Sequence, residues 1–352
     1  MTGLLRRQLW GIMRLEIRRL FLSRMSLVVY LLAFAPAILL IGHATFETRY
    51  RQRLRSIAKT HKPLAGLDQV YPGMSMQQVV ERLGRPYAQR FGRRGSPTVF
   101  YQYTDGTTNL TVVFMQGYVW RLLYREPTSL PEYLRLLSGI FNLYYLRLGI
   151  FFGAVWVFAS LFRGQILDKT IHYYLLCPVR REVLMAGKYL AGLLSMILVF
   201  DLGVLFQWIG TLWLFDKATL AGYLDQSSLR QLLTCVAVTA LGCLGYGSVF
   251  TAVGLIFRNP IVPAAAILAW EQINPFLPAA LKPLGMIHYL QSLLPSSAKL
   301  DQQIPPMISL LIRPGEPARP TVAVIWIVTV SLVLLAVCCV LARRLQVNYA
   351  TD

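Results

Sequence analysis

Six stretches of this chain are apolar for roughly 20 residues each, the length a helix needs to cross the hydrocarbon core of a bilayer. They run from Ser26 to Ala44, Ile140 to Phe162, Leu190 to Phe215, Leu232 to Phe257, Ile261 to Leu281 and Val322 to Ala342. Only Asp201 and Gln207 interrupt the third, while five prolines surround Glu271 in the fifth and predict a broken helix there. Charged residues make up 14% of the 352, against roughly 25% in soluble domains. The pattern predicts an all-α polytopic membrane protein with six transmembrane helices, carrying a small inserted α+β extracytoplasmic domain.

The first run does not read as a cleavable signal, because Phe46-Glu-Thr-Arg follows it where small residues are needed. Basic residues then set the orientation. Arg6, Arg7, Arg14, Arg18, Arg19 and Arg24 precede the first run, and Arg163, Lys169, Arg180, Arg181 and Lys188 lie between the second and third. Arg258 ends the fourth and Arg343-Arg344 the sixth. Six crossings bring all four regions to one side, which the positive-inside rule makes the cytoplasm, with both termini inside. The formal charge of +19 is thereby read as membrane topology and contact with anionic lipid rather than nucleic acid.

Residues 1–25 repeat apolar side chains at helical spacing (Leu5, Leu9, Ile12, Met13, Ile17, Leu20, Phe21), with Arg7, Arg14 and Arg18 opposite. That predicts a cytoplasmic amphipathic helix lying in the interface, its apolar stripe in lipid, before a first span at 26–44. Residues 45–135 form the extracytoplasmic insertion. A basic stalk (Arg49 to Lys59) precedes a Pro72-Gly73 turn, an N-cap at Ser75 and a short helix over Met76 to Leu83, stopped by Gly84 and Pro86. "TVFYQYTDGTTNLTVVFMQGYVWRLLY" then alternates, and Asp105-Gly106 and Gln116-Gly117 divide it into three antiparallel strands. Asn109-Leu-Thr fits a glycosylation sequon but reads better as strand. With "PGMSMQQVVERLGRP", "YQY" and "LTVVFMQGYV", about 55 residues resemble the SmpA/OmlA-like domain of bacterial envelope lipoproteins. The resemblance implies a binding or scaffolding module that performs no catalysis.

Residues 136–352 hold spans two to six, and the loop 163–188 gathers charge in a chain with little. Gln165, Asp168, Lys169 and His172 fall on one helical face, and Leu167, Ile171, Tyr174 and Leu175 on the other. Pro178 stops this short amphipathic helix, and Arg180-Arg181-Glu182 opens the next. The whole, from "LFRGQILDKTIHYYLLCPVRREVLMAGKYLAG" to the basic N-terminal helix, is similar to the type-2 ABC transporter permease family over about 260 residues. The matching positions are Arg163, Thr170, Leu175-Leu176, Pro178-Val179, Arg180-Arg181 and Gly187-Lys188, with Gln165 where many members have glutamate. The resemblance implies a coupling helix that docks on a separate ABC ATP-binding subunit. Gln165, Asp168, Lys169, His172, Tyr173, Tyr174, Arg180 and Arg181 would make the contact, with Tyr173 and Tyr174 as apolar anchors.

The chain has no phosphate loop of its own: Tyr189 follows Gly187-Lys188, and Gly245-Tyr-Gly247 lies inside a span. ATP and Mg are therefore expected at the partner, no cofactor on this chain, and a second permease copy across a homo- or heterodimer. The cysteines (Cys177, Cys235, Cys243, Cys338, Cys339) and four histidines show no metal spacing, and the thiols read as buried and inert. Asp201 and Glu271 fall near mid-span without an evident basic partner, which makes them candidates for the substrate path. The rival reading is an envelope receptor or assembly scaffold whose outer domain binds a protein while the spans anchor it. A polytopic enzyme ranks third, because no catalytic constellation occurs.

Overall fold

A backbone in hydrocarbon must satisfy its own hydrogen bonds, so the long apolar runs become long helices. The computed structural model describes residues 2–23, 26–60, 69–92, 97–126, 129–167, 180–213, 215, 226–257, 259–278, 280–294 and 317–343. In chain order these form α1 (Thr2–Leu22), α2 (Ser26–Thr60), α3 (Met76–Leu83), β1 (Ala88–Phe91), β2 (Thr98–Thr104), β3 (Asn109–Met115) and β4 (Tyr118–Arg125). There follow α4 (Leu130–Ile140), a π-helix (Phe141–Gly149), α5 (Ile150–Leu167), α6 (Arg181–Leu212), α7 (Gln226–Ile256), α8 (Ile261–Ile273), α9 (Met286–Ser292) and α10 (Pro320–Arg343). They divide into a helical unit and a small α+β unit, the latter comprising Ile41–Tyr133 with a short piece around Phe215.

Five segments among the described residues are long and apolar enough to cross a membrane: Ser26–Lys59, Leu130–Ala159, Arg181–Gly210, Leu229–Ile256 and Pro320–Arg343. The expected fifth span is not a single such helix. It consists of α8, two 3-10 turns (Asn274–Phe276 and Lys282–Leu284) and α9. At 1.5 Å per residue α8 is about 20 Å long, short of a hydrocarbon core of about 30 Å. Pro275, Pro278 and Pro283 bring no N–H to a helical ladder, and the chain breaks where they cluster.

The helical unit packs by close backbone approach. An added Cβ at Gly203 of α6 would lie 2.6 Å from the Ala33 carbonyl oxygen of α2, and one at Gly247 of α7 would lie 2.7 Å from the Phe158 ring of α5. Gly254 meets the Ala159 backbone at 3.1 Å in the same sense. Along α7, Cys235, Thr239, Cys243 and Thr251 are buried beside Gly247, so the small-residue stripe of the fourth span is spent on packing inside the subunit.

α1 packs on α6. Part of its apolar face lies against α6: Met13 is buried, Ile12 seats on Gly187, and Glu16 is 1% exposed within that face. Arg7, Arg14 and Arg18 stay exposed opposite, while Trp10 and Leu22 keep an apolar flank outward. The stripe read from the sequence thus marks a face that packs at least in part on protein.

In the small unit, Ser75 caps α3 through a capping box with Gln78, and Gly84 ends the helix at a positive φ of 76°. The sheet is an antiparallel meander of four strands in the order β1-β2-β3-β4, not three. β1 was missed because four residues, AQRF, are too few to show alternation. Val79 and Leu83 of α3 close a core with Tyr103, Leu110, Val112, Phe114 and Val119 on one face of the sheet. The other face meets the end of α2, where Leu54 is buried and Ala58 abuts Gly106, whose φ of +95° suits glycine alone in the β2–β3 turn. Asn109 is a buried strand residue of β3, and its amide is engaged by the Tyr87 and Tyr50 hydroxyls.

Asp105 holds that turn: its Oδ1 accepts from Thr107 N at 2.7 Å, Thr107 Oγ1 at 2.8 Å and Thr108 N at 2.6 Å. Burial pushes the carboxyl up, but these hydrogen bonds outweigh it and leave its pKa below the ordinary 3.8. A depressed pKa contributes stability that is complete above 3.8 and is lost as pH falls through the folded value. Acid titration followed by amide exchange of Thr107 and Thr108 is expected to show the turn opening below pH 3.8 in the wild type. In Asp105→Asn this pH dependence disappears.

Candidate functional site

Of the expected coupling residues, Asp168, Lys169, His172, Tyr173 and Tyr174 lie outside the described residues, and Gln165 is placed only as backbone in the last turn of α5. The end of the loop is described. α5 continues to Leu167 and α6 begins at Arg181, so 181–188 is helix and the connector is shorter than 163–188. Arg180 is exposed. Arg181 donates from Nη1 to the Arg343 carbonyl at 3.2 Å, and Arg343 Nε meets Glu182 Oε1 at 2.5 Å, which ties the end of α10 to the start of α6.

Lys188 sits in the second turn of α6. Read as a basic loop residue, it is 0% exposed inside α6. Its ammonium stands 3.5 Å from Glu16 Oε1 of α1 and donates to the Leu161 carbonyl of α5 at 3.2 Å. A charge out of water is tolerated only when paired and hydrogen-bonded, and here one ammonium joins three helices. The basic flank of the sequence gave no sign of this, because Glu16 sits 172 positions earlier.

A polar network occupies the break between α8 and α9. Glu271 is 6% exposed. Its Oε1 accepts from Met286 N at 2.8 Å and Oε2 from Ile287 N at 3.0 Å, so the carboxylate takes the first free N–H groups of α9. Tyr246 of α7 hydrogen-bonds to it, and Arg147 of the π-helix attracts it electrostatically. Around this centre Gln272 Nε2 donates to the Arg147 carbonyl at 3.4 Å, Gln291 Nε2 to Asn142 Oδ1 at 2.8 Å and Asn274 Nδ2 to the Lys282 carbonyl at 3.0 Å. Gly285 is where the chain needs to lack a side chain, since a Cβ would lie 2.5 Å from Asn274 Nδ2 and 3.3 Å from Glu271 Oε2.

Glu271 thus has a basic partner that the sequence reading overlooked. Arg147 lies within the second apolar run, "FNLYYLRLGIFF", and carries the same signal that singled out Asp201 and Glu271, a charge inside a span. Its π-helical setting is a second sign, since π-helical turns gather at functional sites. Asp201 stands apart from this network. It is half-buried on α6, its Oδ1 is buried without a hydrogen-bond partner among the described residues, and the Cys243 thiol of α7 lies in its field. The two acids therefore divide: Glu271 is engaged by backbone and cation, while Asp201 keeps an uncommitted oxygen.

Among the described residues no group of three His, Cys, Asp or Glu side chains is placed to hold a metal. Family models, curated proteins and solved structures offer no match to this chain.

Proposed function

We propose that the chain is the membrane-spanning permease subunit of an ATP-driven ABC exporter in a bacterial inner membrane. The observation that carries this reading is the clamp around the start of α6. The segment that leaves the loop is fastened to α1 through Glu16, to α5 through the Leu161 carbonyl and to α10 through Arg343. Displacement of the loop by a partner reaches three helices at once, as a force-transmitting element requires. ATP and Mg sit on that partner, an ABC ATP-binding subunit, and a second permease copy completes the pathway. Asp201, with its uncommitted oxygen, is the acid assigned to the substrate path.

The same contacts support six crossings with a broken fifth and both termini in the cytoplasm. The end of α7 packs on the end of α5 at Gly254 and Ala159, and α10 finishes beside the start of α6. α7 therefore runs toward the end of the bundle at which α10 also finishes. The intervening chain must cross back, which α8 and α9 together accomplish at about 1.5 Å per residue over their 13 and 7 residues. The basic residues Arg14, Arg18, Arg180 and Arg181 gather at that end, and the positive-inside rule makes it cytoplasmic. The α+β unit then belongs outside.

The test is a pull-down of the ATPase with transport-coupled hydrolysis in proteoliposomes. A short docking helix depends on few side chains, so Tyr173→Ala with Tyr174→Ala is expected to detach the ATPase or uncouple hydrolysis. Single changes at Asp168, Lys169 or Arg181 act weakly, as exposed pairs contribute about 0–1 kcal/mol. Unchanged binding and coupling in the double variant overturns the docking. The self-contained core of the α+β unit would then favour the second reading, an anchored receptor or assembly scaffold.

A further inference from the structure

A cationic groove lies between the end of α2 and the face of the small sheet turned away from its core. Two periodicities build it. Tyr50, Arg53, Leu54 and Ile57 come from one face of α2, while Arg90 of β1, Asn109 of β3 and Arg125 of β4 point to one side of the sheet. Its floor is a hydrogen-bonded chain in which the Tyr87 hydroxyl donates to Asn109 Oδ1 at 3.0 Å and the Asn109 amide donates to Tyr50 Oη at 2.9 Å. Arg125 lies 4.5 Å from the Tyr50 ring centroid and bonds Glu47 at 2.9 Å. Arg53 and Arg90 are exposed, both act electrostatically on Tyr87, and among the described residues no carboxylate pairs with either. Three guanidiniums thus face a single carboxylate around a groove of about 720 Å³.

We infer that this groove binds an oxyanion-bearing, hydroxyl-rich ligand, of which a sugar phosphate is the simplest member. Guanidinium forks match the planar or tetrahedral oxygens of carboxylate and phosphate, and Arg53 and Arg90 are free to supply them. The hydroxyl and amide floor supplies donors and acceptors for sugar hydroxyls, with tyrosine rings for their apolar faces. The site does not depend on the transport reading. Its ligand is either free in solution or the headgroup of a lipid, and the two share this chemistry.

The experiment is calorimetric titration of the full chain in phosphatidylcholine nanodiscs with glucose 1-phosphate, glucose and inorganic phosphate. Glucose 1-phosphate is expected to bind more tightly than inorganic phosphate, and glucose not measurably. The Arg53→Gln/Arg90→Gln variant weakens binding roughly tenfold or more, since a hydrogen bond to a charged group contributes about 1.5–3 kcal/mol. Both side chains are exposed, so the variant keeps its melting temperature. Lys59→Gln, which removes one charge from the same helix outside the groove, keeps wild-type affinity. Nanodiscs containing phosphatidylglycerol identify the source: competition by the lipid assigns a headgroup, and undiminished binding assigns a soluble ligand. Absence of glucose 1-phosphate binding, or an equal loss in Lys59→Gln, overturns the site.

Discussion

Glu271→Ala is expected to abolish the folded state of the helical unit at growth temperature. The substitution strips both N–H groups at the start of α9 of their acceptor, leaves the Tyr246 hydroxyl unpaired and strands Arg147 without its counter-charge. Each orphaned donor costs about 1–3 kcal/mol, and Arg147 loses an attracting charge as well. Glu271→Gln should fall between, because its one carbonyl replaces one of two acceptors and the charge is gone. Fluorescence-detected size exclusion after heating in detergent measures both. Arg147→Met combined with Glu271→Gln should cost less than the sum of the single changes, as coupled neighbours do. A melting temperature for Glu271→Ala within about 1–2 °C of wild type, about 1 kcal/mol for a chain of this size, would mean that the carboxylate does not hold the break.

The second large effect is expected at Gly203. A methyl there would collide at 2.6 Å with the Ala33 carbonyl oxygen, a backbone atom that cannot swing aside. The same carbonyl accepts the Tyr145 hydroxyl at 2.5 Å, one turn before Pro36. Gly203→Ala must therefore push α2 from α6 and break a buried hydrogen bond in one step. Overpacking costs about 1–3 kcal/mol, and the lost bond adds about 1 kcal/mol. Gly203→Val should prevent recovery of monodisperse protein. Gly42→Ala is the control, being in the same long helix α2 with nothing within 4 Å of its new Cβ. It should be neutral or gain up to about 1 kcal/mol from helix propensity. Equal stability of Gly203→Ala and Gly42→Ala would show that α2 and α6 are not held by that contact.

What the sequence revealed and what it withheld follow from the range of each signal. Local rules were sufficient for α3, whose Ser75 cap and Gly84 stop lie within nine residues of each other, and for the two glycine turns of the sheet. Hydropathy located the long helices, and the prolines after Glu271 announced the break in the fifth. Pairings between distant residues left no local trace. Glu16 with Lys188 joins residues 172 apart, and Glu271 reaches Arg147 across α7, so a lysine in α6 read as a loop charge and an acid in α8 read as unpartnered. The packing of α1 on α6 left no separate mark in the sequence for a related reason. An apolar stripe states that a face is buried and is silent on whether lipid or protein buries it.

The second crossing keeps time in fours. Buried residues recur at 137–138, 141–142, 145–146, 149–151, 153–154 and 157–159, an interval of four that no pure α-helix can hold on one side. Four residues overshoot a 3.6-residue turn by about 40°, so the stripe would wind more than halfway round the helix over that length. The nine-residue π-helix turns part of the drift back, because its wider turn of about 4.4 residues makes four residues fall short by a similar angle. About half of the phase gained in the α-helical part is returned in the π-helix, which keeps the inward face closer to alignment. Deleting one residue from Phe141–Gly149 would rotate the side chains on either side of the deletion against each other by about 100°. The spacing of this span is thus a count the chain has to keep, whatever residues fill it.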